Sequence, residues 1–195
     1  AAAVGGTAAG CPGRGSAAAA SAVVRREAVA DSPVEVVASA AAAREENGNM
    51  KTFTEEFDAT RIEAAIARAE KKTSGEIRVV VHRAPTENPV TTAAAEFARL
   101  EMHRTRARNA VLILIAPVSR TFALYGDKGI NEKCGQHFWN DVAAALRDDF
   151  QHGVFTDGVI KAVERVAAAL EAHFPYRTGD TNELSDTFID RGIVI

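Results

Sequence analysis

Cysteine and methionine each occur only twice in 195 residues, and tryptophan once. Cys11 and Cys134 lie far apart in unlike contexts, so the chain carries no disulfide framework. No apolar run approaches the length that spans a bilayer. The longest, Ala110–Pro117, has the length of a buried strand. The net charge is −3 and the basic residues are dispersed, which leaves no electrostatic footprint for nucleic acid. The histidines at 82, 103, 137, 152 and 173 form no pair at the spacing of a helical zinc site. There is no Walker-type loop, no G-x-S-x-G elbow and no G-x-G-x-x-G. These absences predict a cytoplasmic monomer with no membrane span and no nucleic-acid partner.

Residues 1–49 lack more than the rest of the chain: they hold no Leu, Ile, Phe, Tyr, Trp or Lys. A mix of Ala, Gly, Ser, Val, Arg and Glu buries too little apolar surface to offset the entropy of ordering. Acidic residues such as Glu27, Asp31 and Glu35 exclude an organelle transit peptide, and Ala17–Val24 is too weak for a secretory signal. The first methionine is Met50, where the composition becomes protein-like. Arg44-Glu45-Glu46 can be encoded by a purine-rich run at the distance of a bacterial ribosome-binding site. The sequence therefore predicts a disordered or non-native leader over 1–49, a true start at Met50, one domain over 50–186 and a tail over 187–195.

From Met50 onward 47% overall apolar content is put to use in regular patterns. Thr54-Glu55-Glu56 predicts a helix start, with Ile62, Ala65, Ile66 and Ala69 at helical spacing to about Lys72. Glu76–His82 predicts a strand, Pro85 and Pro89 a loop, and Thr92–Arg106 a second helix. Val111–Ile115 and Thr121–Tyr125 read as a hairpin, and helices follow over 131–150 and 156–174. Strand, helix, strand implies a parallel pair with helices on both faces, hence a small α/β/α sandwich.

That topology puts the start of the first two strands and the end of the third at one sheet edge. Glu76, Arg108, Asn109, Asp127, Lys128 and Glu132 are then expected to converge there, around the turn Gly126-Asp127-Lys128-Gly129. Carboxylates with an Asn and main-chain carbonyls suit a hard cation, Ca²⁺ or Mg²⁺. Arg108 and Lys128 beside them suit a phosphate or carboxylate. The bland alternative is a tight turn in which the glycines supply conformational freedom and Asp127 makes a surface ion pair. Cys134 reads as a small helix residue, Trp139 as core, and 182–186 as loose chain.

The segments Thr73–Val79, Arg108–Ile113, Gly126–Glu132, His173–Tyr176 and Asn182–Leu184 occur in an order that resembles the TPM-domain family, in a short stand-alone bacterial form. The resemblance runs from about Phe53 to Asp186. It implies a Rossmann-like α/β/α sandwich with a mixed sheet, and an acidic crevice that can hold Ca²⁺, with Mg²⁺ second. It matches Asp127 and Glu132 to the crevice, with Glu76 and Asn109 as further ligands and an unidentified protein as partner. One plant relative is called an acid phosphatase, which makes metal-assisted phosphomonoester hydrolysis the alternative, with Asp127 and Arg108 as its catalytic candidates. Longer relatives often carry a signal peptide and a membrane anchor.

Overall fold

The structure is a computed structural model and describes residues 34–39, 57–176 and 188–191. It is the three-layer α/β/α sandwich that the patterning predicts, with one five-stranded mixed sheet. The strands are β1 (Val34–Ser39), β2 (Ile77–His82), β3 (Val111–Ala116), β4 (Thr121–Gly126) and β5 (Phe188–Arg191), in the order β1-β4-β3-β2-β5. The helices are α1 (Ala59–Glu70), α2 (Pro89–Arg99), α3 (Lys128–Gln151) and α4 (Phe155–His173).

β2 and β3 pair in parallel with Ile77 opposite Val111, and α2 makes the crossover between them. β3 and β4 form the antiparallel hairpin, with Val111 opposite Gly126. β5 runs parallel to β2 on one edge, and β1 runs antiparallel to β4 on the other. Two of these strands fall in stretches that composition sets apart. Val34–Ser39 lies within 1–49, and Phe188–Arg191 lies within the 187–195 tail. Both are edge strands, which need only one hydrogen-bonding partner. Residues 182–186 and the helix start at Thr54-Glu55-Glu56 lie outside the described residues.

Side-chain alternation along the strands divides the core in two. Ile77, Val79, Val81, Val111, Ile113, Ile115, Phe122 and Leu124 meet the buried faces of α1, α3 and α4. Val80, Leu112, Leu114 and Ala123 meet Val90, Ala93 and Phe97 of α2, together with Met102. β3 is buried along its whole length, as a strand covered on both faces must be.

Local signals explain the helix boundaries. The Asp58 carboxylate accepts from Arg61 N at 3.0 Å and caps α1. Asn88 caps α2 by accepting from Val90 N at 3.0 Å, and Pro89 occupies the first helical position. The expected helix over Thr92–Arg106 is therefore displaced. Pro89 starts it rather than bounding a loop, because its missing N–H is no loss in a first turn. The helix stops at Arg99; Glu101 then takes a left-handed φ of 54° into a short 3-10 turn, Met102–Arg104.

α3 is two segments joined at Gly135, whose φ of 69° and ψ of 172° break the helix. Beyond the break, Trp139, Val142, Ala143, Leu146 and Phe150 are buried, whereas before it only Ile130 is.

Arg78, a β2 residue only 4% exposed, has its Nη1 buried with no hydrogen-bond partner. An unsatisfied buried donor costs on the order of 1–3 kcal/mol. Arg78→Met keeps the apolar stem and removes the buried donor and charge. Its melting temperature in a calorimeter is expected to equal or exceed that of the parent chain. A fall of more than about 5 °C, the equivalent of ~2 kcal/mol, would show that the guanidinium stabilises the fold.

Candidate functional site

The edge where β2 and β3 begin and β4 ends is tied together by main-chain bonds. Val111 N donates to Glu76 O at 2.8 Å, and Asp127 N donates to Ala110 O at 2.9 Å. The expected convergence of the backbone at Glu76, Asn109 and Asp127 therefore holds, and it rests on the parallel β2–β3 pair.

Asp127 is the centre of this edge. It is 3% exposed and stands at the N-cap of α3, where its Oδ1 accepts from Lys128 N at 2.8 Å. Its Oδ2 lies 2.8 Å from Nε of Arg108. That contact is electrostatic only, because no N–H points along it and Oδ2 has no hydrogen-bond partner. The two partners differ in freedom: the carboxylate is buried, whereas the Arg108 side chain is 52% exposed.

The turn is built for close approach. Gly129 N donates to Arg108 O at 2.8 Å, and Ile130 N reaches the same oxygen at 3.3 Å. A Cβ on Gly129 would collide with Ala107 O and lie 2.7 Å from Arg108 O. Arg108 itself holds a left-handed φ of 53°, which turns its carbonyl toward those two amides. Glycine stands at 129 because backbone meets backbone there, not because its φ is unusual.

The remaining expected ligands fall in different places. Asn109 is buried; its Nδ2 donates to Ser74 O at 3.1 Å, while its Oδ1 is buried without a hydrogen-bond partner. Glu76 is buried at the foot of β2. Glu132 is exposed, in the second turn of α3. Among the described residues no group of three or more His, Cys, Asp or Glu side chains is placed to hold a metal ion. Asp127 Oδ2 and Asn109 Oδ1 are buried oxygens that accept no hydrogen bond, and Glu76 brings a further buried carboxylate to the same edge.

Beside Asp127 lies a pocket of about 260 Å³ lined by Ala94, Phe97, Ala98, His103, Arg108, Tyr125, Asp127 and Lys128. Ala94, Phe97 and Ala98 share one face of α2 by their spacing. The Phe97 and Tyr125 rings lie with centroids 4.9 Å apart and form its apolar wall. Sequence reasoning missed this half of the site. Phe97 reads as ordinary core and His103 as a lone histidine. Tyr125, two positions before Asp127 on a strand that alternates, was the available signal, since residues two apart share a face.

Other reactive groups do not compete. Burial pushes the Cys134 thiol up from its usual pKa, the opposite of what a nucleophile requires. A second cavity of about 230 Å³ between α3 and α4 is bordered by Asp149 and Lys161, which pair with each other at 2.6 Å. Among the described residues no helix is long and apolar enough to cross a membrane.

The comparisons agree with this architecture. The model of a family described as "TPM domain" matches residues 49–169. A solved structure, the NMR structure of BA42 protein from the psychrophilic bacterium Bizionia argentinensis, is 36% identical in sequence, with a TM-score of 0.65. That match covers 70% of this chain and 97% of the BA42 chain. A search of the curated proteins found no match.

Proposed function

This chain belongs to the TPM-domain family, and on that footing we propose that it is a cation-responsive binding module that holds Ca²⁺ at the Asp127 edge and acts through a protein partner. One observation carries the reading: Asp127 Oδ2 and Asn109 Oδ1 are buried oxygens at one edge, and neither accepts a hydrogen bond. Buried acceptors left this way are costly, and a hard cation relieves that cost. The Arg108 guanidinium, half exposed, stands where a cation would compete for Oδ2. Main-chain carbonyls and water would complete the six to eight oxygens that Ca²⁺ takes.

A cation that binds only the native state must stabilise it, by ~2.7 kcal/mol at a hundredfold excess over Kd. For a chain of this size that raises the melting temperature by about 5–10 °C. Asp127→Asn retains a competent helix cap and removes the ligand charge, so it is expected to abolish the Ca²⁺ shift while melting near the parent value without Ca²⁺. An unchanged midpoint at saturating Ca²⁺ would sink the proposal.

The second reading, metal-assisted phosphomonoester hydrolysis, draws support from the bases Arg108, Lys128 and His103 that line the pocket beside Asp127. In it Arg108 clamps the phosphoryl group and Asp127 holds the cation. Turnover of a phosphomonoester that disappears in Asp127→Asn would establish it, and turnover that survives would come from a contaminant.

A further inference from the structure

We propose that the pocket between α2 and β4 binds a small apolar monocarboxylate, with its carboxylate at Arg108 and its apolar body against Phe97 and Tyr125. This goes beyond the cation reading and stands without it, because no ligand charge from Asp127 is required.

The pocket has two chemically distinct halves. One is apolar: Phe97 is 5% exposed and stacks obliquely on Tyr125, and Ala94 and Ala98 leave open the space that larger side chains would fill. The other is polar, with His103, Arg108 and Lys128 against the single carboxylate of Asp127. Asp127 is matched electrostatically by Nε of Arg108, and that contact spends none of the guanidinium's N–H donors. Its planar outer edge is the geometry that carboxylates fit bidentately.

Size narrows the ligand further. Pockets for drug-sized molecules run from about 300 Å³ upward. At about 260 Å³ this one suits a single ring or a short branched chain with its head group. An aromatic body gains from the Phe97–Tyr125 wall, since offset and edge-on ring contacts add to area burial. A cationic ligand of the same shape meets Arg108 and is disfavoured by repulsion.

The test is calorimetric titration of the full chain with three probes in EDTA, repeated in Ca²⁺. Phenylacetate carries both head and body, acetate only the head, and phenethylamine the body with the opposite charge. Phenylacetate is expected to bind at least tenfold tighter than either of the others. Ala94→Leu fills the apolar half without touching a charge and is expected to weaken phenylacetate at least tenfold, leaving acetate unchanged. Arg108→Gln removes the head-group partner and is expected to weaken both carboxylates, with some loss of melting temperature because Asp127 loses its ion pair. Phenylacetate no tighter than acetate, or bound equally by the parent chain and by either folded variant, would overturn the proposal. Binding in EDTA that persists when Ca²⁺ leaves the melting point unchanged would refute the cation reading and keep this one.

Discussion

Trp139→Ala is expected to lower the stability of the domain by about 3–5 kcal/mol, the range for truncating a fully buried large aromatic. At a few degrees per kcal/mol, the melting temperature then falls by about 6–20 °C. The indole projects from α3 and is completely buried in the core between the helices and the sheet. Its ring edge sits against Gly126, where an added Cβ would come within 2.7 Å of Cζ2. Phe138 meets it edge-on at 5.1 Å. The glycine at the end of β4 contributes no side chain to the space that the ring fills. The indole nitrogen sharpens the experiment, since Nε1 is buried with no hydrogen-bond partner. Trp139→Phe removes an unsatisfied donor along with part of the ring, so it should cost less than half of what alanine costs. Equal losses for the two variants in thermal or urea unfolding would show that the donor is satisfied and the packing argument incomplete.

Gly129→Ala is expected to be nearly as damaging, about 3 kcal/mol, through overpacking rather than a cavity. The single methyl group collides with Ala107 O and Arg108 O, and backbone cannot rotate aside as a side chain can. Relief requires the loop at 107–108 to withdraw, which breaks the Gly129 N–Arg108 O bond of 2.8 Å. The same movement drags Arg108 from Asp127 and opens the rim of the pocket. The variant should therefore melt about 6–12 °C lower and also lose carboxylate binding. A melting point within about 2 °C of the parent would mean that the loop yields freely, and the close approach would then not explain the glycine.

The sequence announced the layered α/β architecture because its signals are local and strong. β-branched runs at 77–82 and 111–115 and the punctuation between them suffice for a parallel pair, a hairpin and one shared edge. Asp127 was legible for the same reason, since the edge follows from strand direction. The α2 boundary was not legible, because Pro85 and Pro89 look alike in sequence and only the Asn88 cap distinguishes the second as a helix start. β1 and β5 could not be read either. Each is an edge strand whose pairing is contributed mostly by its neighbour, and Val34–Ser39 lies in a stretch with no large apolar residue but valine. The pocket wall was hidden by distance along the chain: Phe97 and Tyr125 are brought together only when α2 crosses the sheet. Glu132 lies near the site in sequence, and the structure places it exposed in the second turn of α3.

The break at Gly135 gives the two parts of α3 unequal anchorage. Residues 136–151 carry five buried side chains, from Trp139 to Phe150, while the seven residues before the glycine are held by Ile130, the partly buried Cys134 and the amide bonds to Arg108. Opening free energies follow buried contacts, so amides of the first part are expected to exchange sooner than those of the second. The short segment that bears Lys128 and abuts Asp127 is the less deeply anchored of the two, and its main tie to the sheet edge is the close approach of Gly129 to the 107–108 loop. Hydrogen exchange would see it as the early-exchanging end of a helix whose other end reports the global stability. The candidate site thus borders the more lightly anchored end of α3 and not its buried half.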